Sequence, residues 1–249
     1  MTEATDSALP GVEKGILLPS SLEHARITTL PQTAYYIPNF ITEEEEQMIL
    51  GKTWPSDLVN NKLLDAPLPA WLQEPVISRL LSLQTQDSET GNVFDKSPHK
   101  KPNHVLINEY PPGIGIMPHK LSAHHVGRDG AAYWPVVCTV SLGASLCLNL
   151  HRSKDDGALD PEPAWRILQE PRSLLITTDQ LYTDYLHGIS DIEEDVDLTA
   201  DTVANWDLLR SPDAYTSGRN IRQTRTSLTY RDVLQVSKAA NKLGMFLKR

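Results

Sequence analysis

The sequence predicts one mainly β domain, a jelly roll supported by helices at its N-terminal side. From about residue 104 onward, short segments alternate apolar and polar residues with a period of two. Turns rich in Gly, Pro and Asp separate these segments, and no helical pattern lies between them as parallel βαβ units would require. A length of 249 residues, with 40% hydrophobic and 22% charged, is typical of a single globular domain.

The chain divides by composition into a tail and one domain. Residues 1–33 mix Ser, Thr, Gly, Pro and charge without a period, which predicts a poorly ordered tail. The domain is expected over 34–249. Within it we expect a helical support over 34–85, the jelly-roll core over about 100–235 and a basic C-terminal segment over 236–249.

Local patterns define the individual elements. A short strand is predicted at 34–37, and Thr42 with Glu45 forms a capping box that begins a helix ending near Lys52. Apolar residues at three- and four-residue spacing predict a second helix over 70–83. The core strands are predicted at 104–110, 135–142, 146–151, 172–177, 183–189 and 225–231. The acidic stretch between 191 and 201 is expected to be a mobile, solvated surface loop.

The charge balance limits the partners of this chain. It carries 23 basic and 32 acidic residues, a net charge of -9, which argues against binding nucleic acid through a broad basic surface. A local basic groove is compatible with this balance. Its candidate is the stretch after Tyr230, which holds Lys238, Lys242, Lys248 and Arg249, and a solvated helix face explains those residues equally well.

Targeting signals and cysteine usage are consistent with an intracellular protein. The sequence has no run of about 18 apolar residues and no basic segment leading into an apolar N-terminal core, so we expect neither membrane insertion nor secretion. A cytoplasmic and nuclear monomer is expected. Cys138 and Cys147 are too few for a disulfide scaffold and are expected to be reduced, buried and inert.

The last predicted strand carries a polar face. Residues two apart in a strand point the same way, and four polar residues share one face opposite Leu228 and Tyr230. They are Arg225, Ser227, Thr229 and Arg231. If this face points to solvent, it needs no explanation. If it points into the barrel, the two arginines require an anion, and a guanidinium matches a carboxylate with two parallel hydrogen bonds.

Two histidines lie where strands end. His119 follows Pro118 between two predicted strands, and His187 lies near the end of a later one. Taken singly, each is more simply a packing or surface residue. Together with one carboxylate, they would form the facial set of two histidines and one acid that holds Fe(II) with open positions.

The order of these motifs resembles that of the AlkB-like Fe(II)- and 2-oxoglutarate-dependent dioxygenases. The matching pieces are Asn108-x-Tyr110, Pro118-His119, Asp129-Gly130, Ser141-Leu142-Gly143, His187-Gly188 and Arg225-x5-Arg231. Three further segments resemble the AlkB homologue 6 subgroup, namely residues 37–40, 102–106 and 170–174. The resemblance covers about residues 34–240.

The resemblance implies a double-stranded β-helix with iron in its interior. His119, Asp129 and His187 would be the metal ligands and the catalytic centre. Arg225 would bind the distal carboxylate of 2-oxoglutarate, and Arg231 would lie near the other end of this cosubstrate. The remaining cosubstrate residues would be Asn108, Tyr110 and Ser227. The implied reaction is oxidative demethylation, with 2-oxoglutarate and O2 as cosubstrates and a methylated nucleobase or related group as substrate.

One departure from the family pattern falls on the metal motif. Ten positions separate His119 from Asp129, where the family has His-x-Asp, and removing 121–128 would restore a continuous family motif. We interpret these eight residues as an insertion from a splice site or gene-model choice. Closing a flexible loop of this length costs only about 2 kcal/mol, so Asp129 is the favoured third ligand.

Three alternatives to an iron site completed by Asp129 remain. Either His124 or His125 replaces the carboxylate, or the interrupted site is too loose to hold iron for catalysis. In the last case the protein would be a catalytically impaired jelly roll that binds a ligand or partner. At the substrate side, Trp54, Tyr133 and Trp134 can stack on a base, although such aromatics more often pack at the core or rim.

Overall fold

The computed structural model describes most of the domain as two antiparallel sheets. It describes residues 16–31, 33–52, 62–65, 67–85, 91–119, 133–152, 160–178, 181 and 185–234. The helices are α1 (Glu43–Leu50), α2 (Ala70–Gln73) and α3 (Val76–Ser82). The strands are β1 (Ala34–Ile37), β2 (Lys62–Asp65), β3 (His104–Tyr110), β4 (Ile116–His119), β5 (Val136–Leu142), β6 (Leu146–Arg152), β7 (Trp165–Gln169), β8 (Leu174–Thr178), β9 (Tyr185–Ile189), β10 (Glu194–Asp195), β11 (Asn220–Ile221) and β12 (Arg225–Arg231).

The sheet topology is that of a jelly roll. A six-stranded sheet has the order β1-β8-β5-β12-β3-β2, and a four-stranded sheet has the order β4-β9-β6-β7. Strand β12 pairs with β3 along all of its residues and with β5 on its other side. Non-consecutive neighbours of this kind are typical of Greek-key connections. The predicted mainly β jelly roll with N-terminal helices is therefore confirmed.

The two faces of the six-stranded sheet differ in what covers them. Its outer face carries Leu228 and Tyr230, which pack with the buried residues of the helices in one apolar core. The Tyr230 hydroxyl donates to the carbonyl of Leu72 in α2 at 2.9 Å, which ties the helices to the central strand. The inner face meets the four-stranded sheet, where Tyr36 shares a second core with Leu150.

The first helix begins as the sequence predicts. Thr42 Oγ1 accepts from the Glu45 amide at 3.1 Å, and Glu45 Oε2 accepts from the Thr42 amide at 2.8 Å. Glu45 also binds Arg79 of α3 through two contacts of 2.6 Å. The single helix predicted over 70–83 was wrong, because Pro75 has no amide donor and its ring clashes with the preceding turn, so the chain forms two short helices.

The prediction of a poorly ordered tail was wrong for residues 16–31, which pack against the domain. Leu22 and Ile27 are fully buried, and backbone hydrogen bonds join them to Gln84 and Ala34 at 2.8 and 2.9 Å. Without a period, these few apolar residues gave no pattern that could reveal their packing. Residues 1–15, like the predicted basic segment 236–249, lie outside the described part of the chain.

A solvated loop was predicted for the acidic stretch after β9, and most of its acids are exposed, but the prediction was wrong for Asp195. Asp195 is only 1% exposed, and it receives two hydrogen bonds from Arg222 at 2.7 and 3.1 Å. Asn220 donates to the same carboxylate at 2.9 Å. Arg222 also donates to the Ser190 carbonyl at 2.7 Å. The ribbon β10-β11 is thereby held against the end of the four-stranded sheet.

Both cysteines have the predicted character. Cys138 and Cys147 are buried and unbridged. Burial raises the pKa of the Cys138 thiol far above its usual range and that of Cys147 to about 12, so neither ionises at neutral pH. Within the described ranges, no helix has the length and apolar character needed to cross a membrane.

The Arg222–Asp195 pair gives a stability prediction. Replacing Arg222 with Met leaves the buried Asp195 carboxylate without its counter-ion, so the free energy of unfolding should fall by about 3–5 kcal/mol in urea titrations. The double variant Arg222→Met/Asp195→Leu should recover most of this loss. A loss below about 1 kcal/mol in the single variant would show that the pair does not hold the ribbon.

Candidate active site

The polar face of β12 points into the space between the sheets. Strand alternation sends Leu228 and Tyr230 outward to the helices and the polar set inward. The inward residues are Arg225, Ser227, Thr229 and Arg231, each no more than 9% exposed. The alternative in which this face is solvated is therefore excluded, and the barrel interior contains two guanidinium groups.

Arg225 is buried among neutral partners. Its Nη2 donates to Ser141 Oγ and to Gln169 Oε1, both at 2.9 Å, and its Nε donates to Ser141 Oγ at 3.3 Å. Each of these acceptors, within the part of the chain that is described, is an uncharged oxygen. Burial lowers the pKa of this guanidinium to about 10. A buried cation with neutral partners favours binding of an anion.

Three of the other residues predicted to bind the cosubstrate surround Arg225. Tyr110 lies opposite Arg225 in the β12–β3 ladder, and the Arg225 Cζ atom is 5.7 Å from the centre of its ring. Asn108 Nδ2 donates to the Tyr110 hydroxyl at 3.2 Å. Ser227 lies opposite Asn108 on one side and Ser141 on the other. The structure thus brings these three residues together around Arg225, whereas Arg231 lies at the other end of β12.

The two predicted histidines are direct neighbours across strands. His119 ends β4, and it is paired with His187 of β9 in antiparallel register. Directly opposite residues place their Cβ atoms about 4.5–5.5 Å apart on one face of the sheet. His187 is also opposite Leu150, whose side chain lies in the interior core. Both imidazoles therefore face the same interior as Arg225.

Each imidazole keeps one nitrogen lone pair available. His119 Nδ1 lies 2.9 Å from the Met117 carbonyl, and His187 Nε2 lies 3.3 Å from the Leu181 carbonyl, so each of these nitrogens carries the proton. Burial is the main cause that lowers the pKa of His187 to about 4, and the nearby Arg231 acts in the same direction. A neutral imidazole held by a backbone carbonyl is the form that binds metals.

Two glycines allow β4 to lie close to β9. A Cβ on Gly188 would be 2.8 Å from Pro118 Cγ, and one on Gly115 would be 2.1 Å from the Ile189 carbonyl oxygen. Only glycine fits at such distances. Each glycine is next to, or within four residues of, one of the two histidines in sequence. The Pro-His and His-Gly pieces of the motif are thus one structural contact.

A second polar group lies at the end of the interior that holds His119 and His187, which we call the histidine end. One of its members, His104, was not predicted from the sequence. Arg231 Cζ lies 5.2 Å from the Tyr133 ring centre, and the Tyr133 and His104 rings meet edge to face at 6.3 Å. His104 lies opposite Arg231 in the ladder. Strand alternation could have identified His104, because it lies an even number of positions from Tyr110 and the two share a face of β3. Trp134, by contrast, packs partly against the helical core.

The third predicted metal ligand lies outside the described residues. Asp129 and its alternatives His124 and His125 fall within 120–132, and Trp54 is likewise in a range that is not described. Among the described residues alone, no group of three His, Cys, Asp or Glu side chains is placed to hold a metal. The choice among Asp129, His124 and His125 therefore stays a prediction.

A jelly roll with paired imidazoles and a buried guanidinium facing one interior is the architecture of the Fe(II)- and 2-oxoglutarate-dependent dioxygenases. Sequence comparison identifies the branch. A protein of Danio rerio named "Probable RNA/DNA demethylase ALKBH6" is 32% identical over 246 residues, covering 90% of this chain and 95% of the relative. The chain belongs to this ALKBH6 family of AlkB-like dioxygenases.

Three other proteins are similar to this chain at lower sequence identity. "Uncharacterized protein L905" of Acanthamoeba polyphaga mimivirus is 28% identical over 144 residues, covering 57% of this chain and 54% of that protein. The solved structure of OsALKBH1 covers 82% of this chain and 99% of its own, with a TM-score of 0.45 and 16% identity. A viral collagen prolyl hydroxylase from Paramecium Bursaria Chlorella virus-1, in a 2OG complex, covers 81% of this chain and 96% of its own, with a TM-score of 0.41 and 11% identity. No protein-family model matches the chain.

The neutral surroundings of Arg225 give a second stability prediction. Without ligand, Arg225→Met should change the free energy of unfolding by less than about 1 kcal/mol or raise it, because the substitution removes a buried cation that has no acidic partner among the described residues. Arg222→Met, three positions away, is the matched control with a buried acid beside it. A loss of about 3 kcal/mol or more from Arg225→Met would show that its guanidinium is already neutralised.

Proposed function

We propose that this chain catalyses oxidative demethylation of an alkylated nucleobase or a related methylated substrate, with 2-oxoglutarate and O2 as cosubstrates. His119, Asp129 and His187 hold the iron in this proposal. The observation that carries it is the register of His119 with His187 on the interior face that also contains Arg225. The two imidazoles fit iron because each has a lone pair and a proton fixed by a carbonyl.

The buried residues around Arg225 account for cosubstrate binding. The Arg225 guanidinium takes the distal carboxylate of 2-oxoglutarate, which neutralises its charge and accepts two parallel hydrogen bonds. The Tyr110 hydroxyl, Asn108 and Ser227 orient the same end of the molecule. Arg231, at the other end of β12, lies near the keto acid end. The spacing of the two arginines along one strand therefore sets the direction in which the cosubstrate binds.

The chain also provides an apolar wall around the reacting groups. Leu150 lies beside His187, and Ile167 is fully buried in the same interior core. Such a wall excludes water and strengthens the electrostatic interactions within it. Bound iron, with the two cosubstrates, supplies the oxidation of a methyl C–H bond, with one oxygen atom entering that methyl group and the other entering succinate as CO2 is released. The hydroxymethyl product then releases formaldehyde and leaves an N–H group.

The name of the Danio rerio relative supports nucleic acid as the substrate class. Tyr133 is half-buried beside Arg231 at the histidine end of the interior, where a base can stack on its ring. The cytoplasmic and nuclear location and the monomeric state stay predictions.

Removal of single candidate ligands tests the metal centre. Asp129→Ala and His187→Ala should each lower the rate of succinate formation from 2-oxoglutarate by at least about 100-fold, because each removes a proposed iron ligand and even the loss of a group that only supports a ligand costs about 10–100-fold. His124→Ala and His125→Ala are matched controls within the same segment and should keep most of the rate. Succinate formation that persists in His187→Ala would refute the ligand assignment, and loss in a control instead of Asp129→Ala would reassign the third ligand.

The interrupted metal motif favours one competing function, that of a binding module without turnover. Anaerobic titration with Fe(II) and 2-oxoglutarate separates the two functions, because a chelated iron site gives a visible charge-transfer band and an impaired site gives none. A variant lacking 121–128 should be assayed in parallel. Equal rates in both chains would show that the insertion is tolerated, and activity in the shortened chain alone would support the binding module.

The cosubstrate assignment predicts a large effect at Arg225. Arg225→Met should weaken 2-oxoglutarate binding by about 100-fold or more, since a charge-assisted pair of hydrogen bonds is worth about 3 kcal/mol. Ser227→Ala removes one neutral hydroxyl and should weaken it by about tenfold or less. Calorimetric titration with Mn(II) in place of iron measures both. Equal affinities for the wild type and Arg225→Met would place the cosubstrate elsewhere.

A further inference from the structure

Among the described residues of this acidic chain, the exposed lysines lie in one loop. The net charge is -9, and only four lysines have side chains in the described part of the chain. Three of them, Lys96, Lys100 and Lys101, are exposed in the loop before β3, which we call the lysine loop (residues 96–101). The fourth, Lys52, follows α1. The lysine loop is thus a local positive surface on a chain of opposite net charge.

The lysine loop is fixed to the carboxyl end of β12. His99 Nδ1 lies 2.6 Å from the fully buried carboxylate of Asp232, whose second oxygen accepts from the His99 amide at 3.2 Å. The side chain of Asn103 exchanges two hydrogen bonds with the backbone of Val233, at 2.8 and 3.1 Å. Buried and reciprocal contacts of this kind hold the lysines at a defined position.

That position is the histidine end of the barrel. Asp232 directly follows Arg231, and the Asn103 amide donates to the Arg231 carbonyl at 3.0 Å. Lys101 is three residues before His104, so at most about 11 Å of chain separates it from the residue opposite Arg231. His187 lies at the same end, because its Nε2 is 3.3 Å from the carbonyl of Leu181, which follows the end of β8, and that end of β8 is paired with the start of β5 beside Asp232.

We propose that Lys96, Lys100 and Lys101 bind the phosphate backbone of single-stranded nucleic acid while one base enters the barrel beside Tyr133. This inference rests on the proposed function and adds the surface that holds the strand. Lysine is a strong point-charge ligand for phosphate, and the surrounding negative charge disfavours a broad contact with duplex DNA. The adjacent aromatic ring favours a nucleic acid over an acidic peptide, because bases stack on such rings.

A charge-neutral triple variant tests the surface. In Lys96→Gln/Lys100→Gln/Lys101→Gln, binding of a fluorescent single-stranded oligonucleotide should weaken by about tenfold at low salt, measured by anisotropy on the full chain. The slope of log affinity against log salt should become shallower by about 2, because each phosphate contact to a single strand contributes about 0.7. The control Arg26→Gln/Lys52→Gln/Arg219→Gln loses the same charge from other surfaces and should keep the wild-type slope.

Three results would overturn the inference. The first is an unchanged slope in the lysine-loop variant, and the second is an equal change in the control. The third is a lysine-loop variant that loses binding to a labelled polyglutamate peptide but keeps its binding to the oligonucleotide. Circular dichroism checks that both variants are folded. Succinate assays on the wild type separate the two proposals. If the wild type forms no succinate but its salt slope still depends on the lysine loop, the binding surface is supported and the proposed function is refuted. If it forms succinate but the slope does not depend on the loop, the proposed function is supported and the binding surface is refuted.

Discussion

Strand β12 is central in the larger sheet, with the helical core on one face and the four-stranded sheet on the other, and all seven of its residues are buried. The alternation of side chains along β12 then determines which residues face the helices and which face the barrel interior. Leu228 and Tyr230 join the apolar core under the helices, while Arg225 and Arg231 must lie inside the barrel. Because the partners of Arg225 are neutral, the interior is prepared for a carboxylate before any ligand arrives.

Arg222 and Arg225 are both buried, but only Arg222 has an acidic partner among the described residues. Arg222 is neutralised by Asp195 and joins the segment after β9 to the segment before β12. In that first segment, Asp191 accepts from the Gly115 amide at 2.7 Å, which holds the start of edge strand β4. The ion pair therefore supports the strand that carries His119, and the cation at Arg225 is left for a ligand.

The sequence predicted those parts of the fold whose signals are local. Strands β3 and β12 have the predicted limits, and the capping box located α1. Strand β4 was missed because Pro118 is disfavoured in strands, and an edge position tolerates it. The partner of Asp195 lies 27 residues away and has no local signature. Asn108, Tyr110 and Ser227 lie around Arg225, as strand alternation predicts, whereas the choice of a third metal ligand depends on a segment without a strand pattern and stays a prediction.

The contact between Gly188 and Pro118 makes the separation of two side chains a property of the backbone. His119 and His187 are attached to either side of this contact, so the distance between their imidazoles is set by how closely two main chains can approach. A methyl group at position 188 would push β4 away from β9 and move the two rings apart without altering either side chain. The spacing of the two histidines therefore depends on a residue that has no side chain.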